Sequence, residues 1–141
     1  MSARTHVRFW AMLLGLLLLA CQAAANDGKT RSRFAGTYTG KYTSHVGPKS
    51  QDQEGTQTST VDDKGNISGE ATNTTINQTA KISGTIDDDG RVKMIFEFPN
   101  GTYTATGTAS KTAKGTIIGT LIQWVGMDAM SSIEFESIPK P

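Results

Sequence analysis

The chain has 141 residues, 14 basic and 13 acidic, for a formal net charge of +1. Charges of both signs are scattered along it, which excludes the clustered basic face that a nucleic acid partner requires. A single cysteine cannot form an internal disulfide, so a domain of this size must be held by its core and its backbone hydrogen bonds.

The N-terminus reads as a cleaved leader. Arg4, His6 and Arg8 precede Phe9–Ala20, twelve residues without a charge. A bilayer-spanning helix needs roughly 20 apolar residues. A shorter run with a basic flank and a small residue at its exit matches a secretory signal peptide instead. At that exit Leu18-Leu19-Ala20-Cys21 resembles the lipobox of bacterial lipoproteins. The resemblance implies that the Cys21 thiol receives a diacylglycerol and that Cys21 becomes the new N-terminus. Two or more acyl chains, at about 0.8 kcal/mol per buried methylene, make such an anchor stable. Gln22 follows, where in such lipoproteins aspartate often directs inner-membrane retention, so the resemblance implies the outer membrane in a cell that has one. Ala23-Ala24-Ala25 offers a second exit, which would leave a freely secreted or periplasmic protein. The expected organisation is therefore a signal peptide over 1–20, a lipidated tether over 21–33 and one domain over 34–141. Without the leader's Arg4 and Arg8, 12 basic residues face 13 acidic ones, a formal net charge of −1.

Gln22–Arg33 is small, polar and aperiodic. A tether of that length spans about 20 Å as a coil and about 40 Å when stretched. From Phe34 onward the chain alternates with period two between turn signals, which predicts strands. The first, Phe34–Tyr42, puts Phe34, Gly36, Tyr38, Gly40 and Tyr42 on one face, and a polar loop over Ser44–Glu54 follows. Gly55–Val61 and Asn66–Asn73 flank the turn Asp62-Asp63-Lys64-Gly65. Thr79–Ile86 and Arg91–Phe98 flank Asp87-Asp88-Asp89-Gly90, so the same hairpin signal recurs 25 residues on. Asn100-Gly101 leads into Thr102–Ala109, a turn over Lys111–Gly115 into Thr116–Val125, and Ser132–Ile138 ends the domain. Eight strands and no helix are expected.

Gly36, Gly69, Gly84, Gly107 and Gly119 fall mid-strand, in phase with the apolar residues. Repeated mid-strand glycine permits sharp coiling and the close approach of a large neighbouring side chain. The expected fold is thus all-β, an eight-stranded antiparallel up-and-down (meander) barrel, with a β-sandwich as the alternative. Phe34-Ala35-Gly36-Thr37-Tyr38 also resembles the Gly-x-aromatic opening of the calycin barrels, the lipocalin and avidin group. That resemblance implies the same architecture and carries no ligand residues with it.

No catalytic or metal-binding constellation is expected. His45 is the only histidine beyond the leader, and no nucleophile motif accompanies it. Asp62-Asp63 and Asp87-Asp88-Asp89 lack the ligand spacing of a calcium loop and suit tight turns. The notable pattern is Ile117–Trp124: with Gly119 and Leu121 inward, Ile118, Ile122 and Trp124 point outward. Such a stripe must be covered, by the tether or by Gly126–Met130, or must meet a partner. The function expected is a non-enzymatic, cofactor-free binding module held at the membrane by its lipid. It would bind a small apolar ligand or another envelope protein. The alternative is a structural or inhibitory module with a solid barrel that acts through its loops, chiefly Ser44–Glu54.

Overall fold

The computed structural model describes residues 30–47 and 51–141. The leader and Cys21 lie outside the described residues. Eight strands follow one another: β1 Gly36–His45, β2 Gln53–Val61, β3 Asn66–Asn73 and β4 Gln78–Ile86, then β5 Arg91–Phe98, β6 Gly101–Lys111, β7 Ile117–Val125 and β8 Asp128–Pro139. Each pairs antiparallel with the next, and β8 pairs back onto β1, for example Tyr42 opposite Phe135, so the sheet is a closed barrel. That last ladder excludes the sandwich.

The period-two pattern accounts for the wall. Ala71, Ala80, Ile82, Val92, Met94, Phe96, Ala105, Leu121 and Ile133 point inward and are buried. Exposed threonines such as Thr39, Thr58 and Thr106 alternate with the inward positions, where β-branching suits a pleated surface. The loop after β1 is shorter than expected. Ser44, His45, Gln53 and Glu54 extend the strands, which leaves Val46–Asp52 to connect them.

Three hairpins at one end share a geometry. In the turn after β2, the Asp62 N–H donates to the Asn66 carbonyl at 2.9 Å and the Gly65 N–H to that of Asp62 at 3.0 Å. Asp87 to Arg91 and Thr112 to Thr116 repeat both bonds. Gly65, Gly90 and Gly115 carry φ of +85°, +83° and +84°, the left-handed conformation that this bulged turn demands of one residue. The 25-residue period is therefore present three times. Its third copy, Thr112-Ala113-Lys114-Gly115, is hidden in the sequence because the backbone geometry requires only the glycine. In the first copy the Asp62 carboxylate accepts from the Lys64 and Asn66 N–H groups, both at 2.8 Å. A hydrogen bond from the Asn66 side-chain amide, reinforced by these backbone bonds, holds its pKa below its ordinary value.

Phe34 departs from expectation. It lies ahead of β1, in a turn where the Ala35 N–H donates to the Ser32 carbonyl at 3.0 Å and the Phe34 N–H to Ser32 Oγ at 3.2 Å. The turn is fastened to the β2–β3 hairpin by the Ser32 N–H, which donates to the Asp63 carbonyl at 2.9 Å. It reaches the end of β6 through Lys111 Nζ, which donates to the Arg33 carbonyl at 2.9 Å. Segments on opposite sides of the barrel are thus bridged, and Phe34, with no exposed surface, closes this end. Ser32 and Arg33, placed in the tether by composition, are part of that closure.

Candidate functional site

At the closed end Phe34, Tyr38, Val61, Ile86 and Val92 fill the interior, and the free volume among Ser59, Ile86 and Ser137 falls to about 30 Å³. The other half of the barrel is different. Gly55, Ala71, Ala80 and Ala105 take inward positions there and contribute little volume. A cavity of about 290 Å³ remains, opening at the end of the barrel where Val46, Ile76, Asn100 and Met130 lie.

The cavity has two zones. Its deep wall is largely apolar and partly aromatic, made by Met94, Phe96, Leu121, Ile133 and Phe135, with Gln57 as a polar member whose Nε2 donates to Ser137 Oγ at 2.6 Å. Phe98 and Tyr103 meet edge to face with ring centres 5.9 Å apart, lining the space rather than filling it. Nearer the mouth, amides and hydroxyls form a collar: Ser44, Gln53, Asn73, Gln78, Asn100 and Gln123. These are terminal or near-terminal strand positions, apart from Asn100, which sits in its turn. Val46, Ile76 and Met130 add an apolar lip, on which Ile76 is 47% exposed.

Local structure holds the collar in place. Asn73 Oδ1 accepts the N–H groups of Thr75 and Ile76 at 3.1 and 3.2 Å, bending the chain out of β3. Asn77 completes that bend at φ 52°, a left-handed conformation that asparagine tolerates. Asn73 Nδ2 donates to Gln53 Oε1 at 2.7 Å, and Ser131 Oγ donates to Gln123 Oε1 at 3.0 Å. A primary amide offers two donors and a two-lone-pair acceptor. These bonds orient the collar without consuming its capacity. The Tyr42 ring packs against Gly55, where an added Cβ would collide with it. Burial pushes its phenol up to about 12, so it stays protonated and able to donate. None of the described lining residues carries a charge.

Sequence reasoning overlooked this collar. Gln123 is in phase with Leu121 and Gly119, and a glutamine on the inward phase of a strand was the available signal. Attention to Ile118, Ile122 and Trp124 took the other face of the same strand. Those three do point outward: Ile118 is 45% exposed, and Trp124 Nε1 donates to Thr106 Oγ1 at 3.0 Å, binding the indole to β6. Gly126 and Met127 form a turn and Asp128–Met130 begin β8, so this segment lengthens the hairpin. It does not fold back over the stripe.

His45 sits at the end of β1 on the outer surface. Its Nδ1 donates to Asp52 Oδ1 at 2.9 Å, and its Nε2 lies 3.8 Å from Glu134. The Asp52 hydrogen bond is the main cause that raises its pKa above 6.5. A raised folded pKa means that the stabilisation is full below the unfolded value. It is lost as pH rises through the folded one. The His45 ring protons, followed by NMR, are expected to titrate with a midpoint above 6.5, and Asp52→Asn should bring the midpoint down. A wild-type midpoint at or below 6.5 would show that the loop does not hold this pairing in solution.

Comparison with known proteins found no matching family model, no matching curated protein and no matching solved structure.

Proposed function

We propose that this protein is a lipid-anchored binding module of the bacterial cell envelope that takes a small, largely apolar molecule into its barrel. The observation that carries the reading is the open cavity, with a largely apolar floor and an oriented collar. Ligand sites commonly have this composition, and about 290 Å³ is at the small end of their size range. A dry apolar cavity of about 150 Å³ holds benzene, so a body of one or two rings, or a branched aliphatic of similar bulk, fits here. Amides and hydroxyls without an adjacent histidine, carboxylate or thiol favour binding over catalysis. The solid-barrel alternative is disfavoured by the same space. Outer-membrane anchoring rests on the Leu18–Cys21 motif and on Gln22.

Native mass spectrometry of the protein extracted from its own membrane tests both parts together. The expected species carries an acylated Cys21 and one bound small molecule. Cys21→Ser should shift the protein to the soluble fraction, with Ala23-Ala24-Ala25 serving as the exit. Retention of that variant in the membrane would overturn the anchor, and a mature species without an adduct in every preparation would overturn the ligand.

A further inference from the structure

Building on the proposed binding function, we infer that the cavity selects neutral ligands bearing a hydrogen-bonding group at one end of an apolar body, and rejects carboxylates. Three observations converge. The first is the absence of any charge among the described lining residues. An ion that leaves water for such a site must be paired or must give up its charge, because unpaired burial of a charge costs far more than burial of a neutral polar group.

The second is the character of the rim. In sequence, the connection between β1 and β2 carries one lysine, Lys49, whereas Asp52, Glu54 and Asp128 stand at this end of the barrel. Protonated His45 faces Asp52 and Glu134 on the outer surface, so its charge is already matched. Acidic groups outnumber basic ones at this end, so the rim offers an anion no net attraction.

The third is the arrangement of the collar. Gln53, Asn73 and Gln123 are oriented by bonds that leave further amide donors and acceptors available, and Gln78 lies beside them. A hydroxyl, ketone or carboxamide can both give to and take from such groups, while a carboxylate can only accept. The apolar body goes down against Met94, Phe96 and Leu121, and the neutral polar end stays at the collar.

Isosteric two-ring probes separate charge from shape. Full chain carrying Cys21→Ser, free of lipid and detergent, would be titrated calorimetrically at neutral pH with 2-naphthamide and with 2-naphthoate. The carboxamide is expected to bind at least about 100-fold more tightly, the scale set by the cost of burying an unpaired charge. Gln78→Lys, its fold verified by near-UV circular dichroism, places an ammonium at the mouth and should raise naphthoate affinity about tenfold, the size of one charge-assisted contact. Equal binding of the two probes would overturn the charge selection while leaving the binding function standing. Absence of binding by either would overturn the binding function and the selectivity with it. Naphthoate affinity unchanged in a folded Gln78→Lys variant would overturn the placement of the polar end at the collar.

Discussion

Phe34→Ala should be the most damaging single truncation in the domain, lowering stability by about 3–5 kcal/mol. At about 4 °C per kcal/mol for a domain of this size, the midpoint of thermal unfolding should drop by about 12–20 °C. The residue lies outside every strand, which makes the expectation specific. Phe34 has no exposed surface, and its carbonyl accepts the Tyr38 hydroxyl at 2.7 Å. The Arg33 guanidinium stacks 4.7 Å from its ring centre on the outer side. Removing the ring leaves a void beneath a turn that also holds Ser32 against the β2–β3 hairpin, so the hole cannot collapse without breaking that bond. Phe34→Leu, which keeps most of the volume, should cost less than about 1.5 kcal/mol. A loss below about 1 kcal/mol for Phe34→Ala, read by thermal or urea unfolding, would show that the strands close this end unaided.

The wall of the barrel was legible because one face had to be apolar and the other wet. Val92, Met94 and Phe96 alternate with Arg91, Lys93 and Ile95, and no helical period competes with that pattern. The acidic turns were equally plain, since Asp and Gly at fixed offsets have few other uses. Phe34 was misplaced for a physical reason. Phe34, Gly36 and Tyr38 stay in phase, so alternation alone extends β1 backwards, while the Ser32 side chain supplies the local hydrogen bond that ends it. The cavity was the least legible feature. It depends on which interior positions are underfilled, and that is a sum over eight strands rather than a property of any one of them. Only register brings Gln53 beside Asn73, 20 residues away, and Ser131 beside Gln123.

Gly55→Ala should cost about 2–3 kcal/mol although it adds a single methyl group, and part of that cost should disappear when Tyr42 is removed. The new Cβ at this buried position would collide with the Tyr42 ring and with the carbonyl of Thr72 on the neighbouring strand. Overpacking of this kind typically costs 1–3 kcal/mol, and the upper end applies because one of the two obstacles is backbone. The ring can move only toward the cavity it lines; the carbonyl belongs to the β2–β3 ladder and cannot. A double-mutant cycle separates the two. Gly55→Ala measured in a Tyr42→Ala background should be milder by at least about 1 kcal/mol, since contacting residues couple by 0.5–3 kcal/mol. Additivity within about 0.3 kcal/mol would mean that the strand alone sets the penalty and that the ring is not fixed by the glycine. The same arrangement recurs on the other side of the β1–β8 seam, where a Cβ on Gly119 would lie 2.7 Å from two ring carbons of Phe135. Tyr42 and Phe135 are paired across the β1–β8 seam, so a glycine on either side receives one of the two rings. Aromatic packing over glycine is a known means of stabilising a strongly coiled sheet. Here the space left by each missing side chain is taken by a ring, and both rings line the cavity.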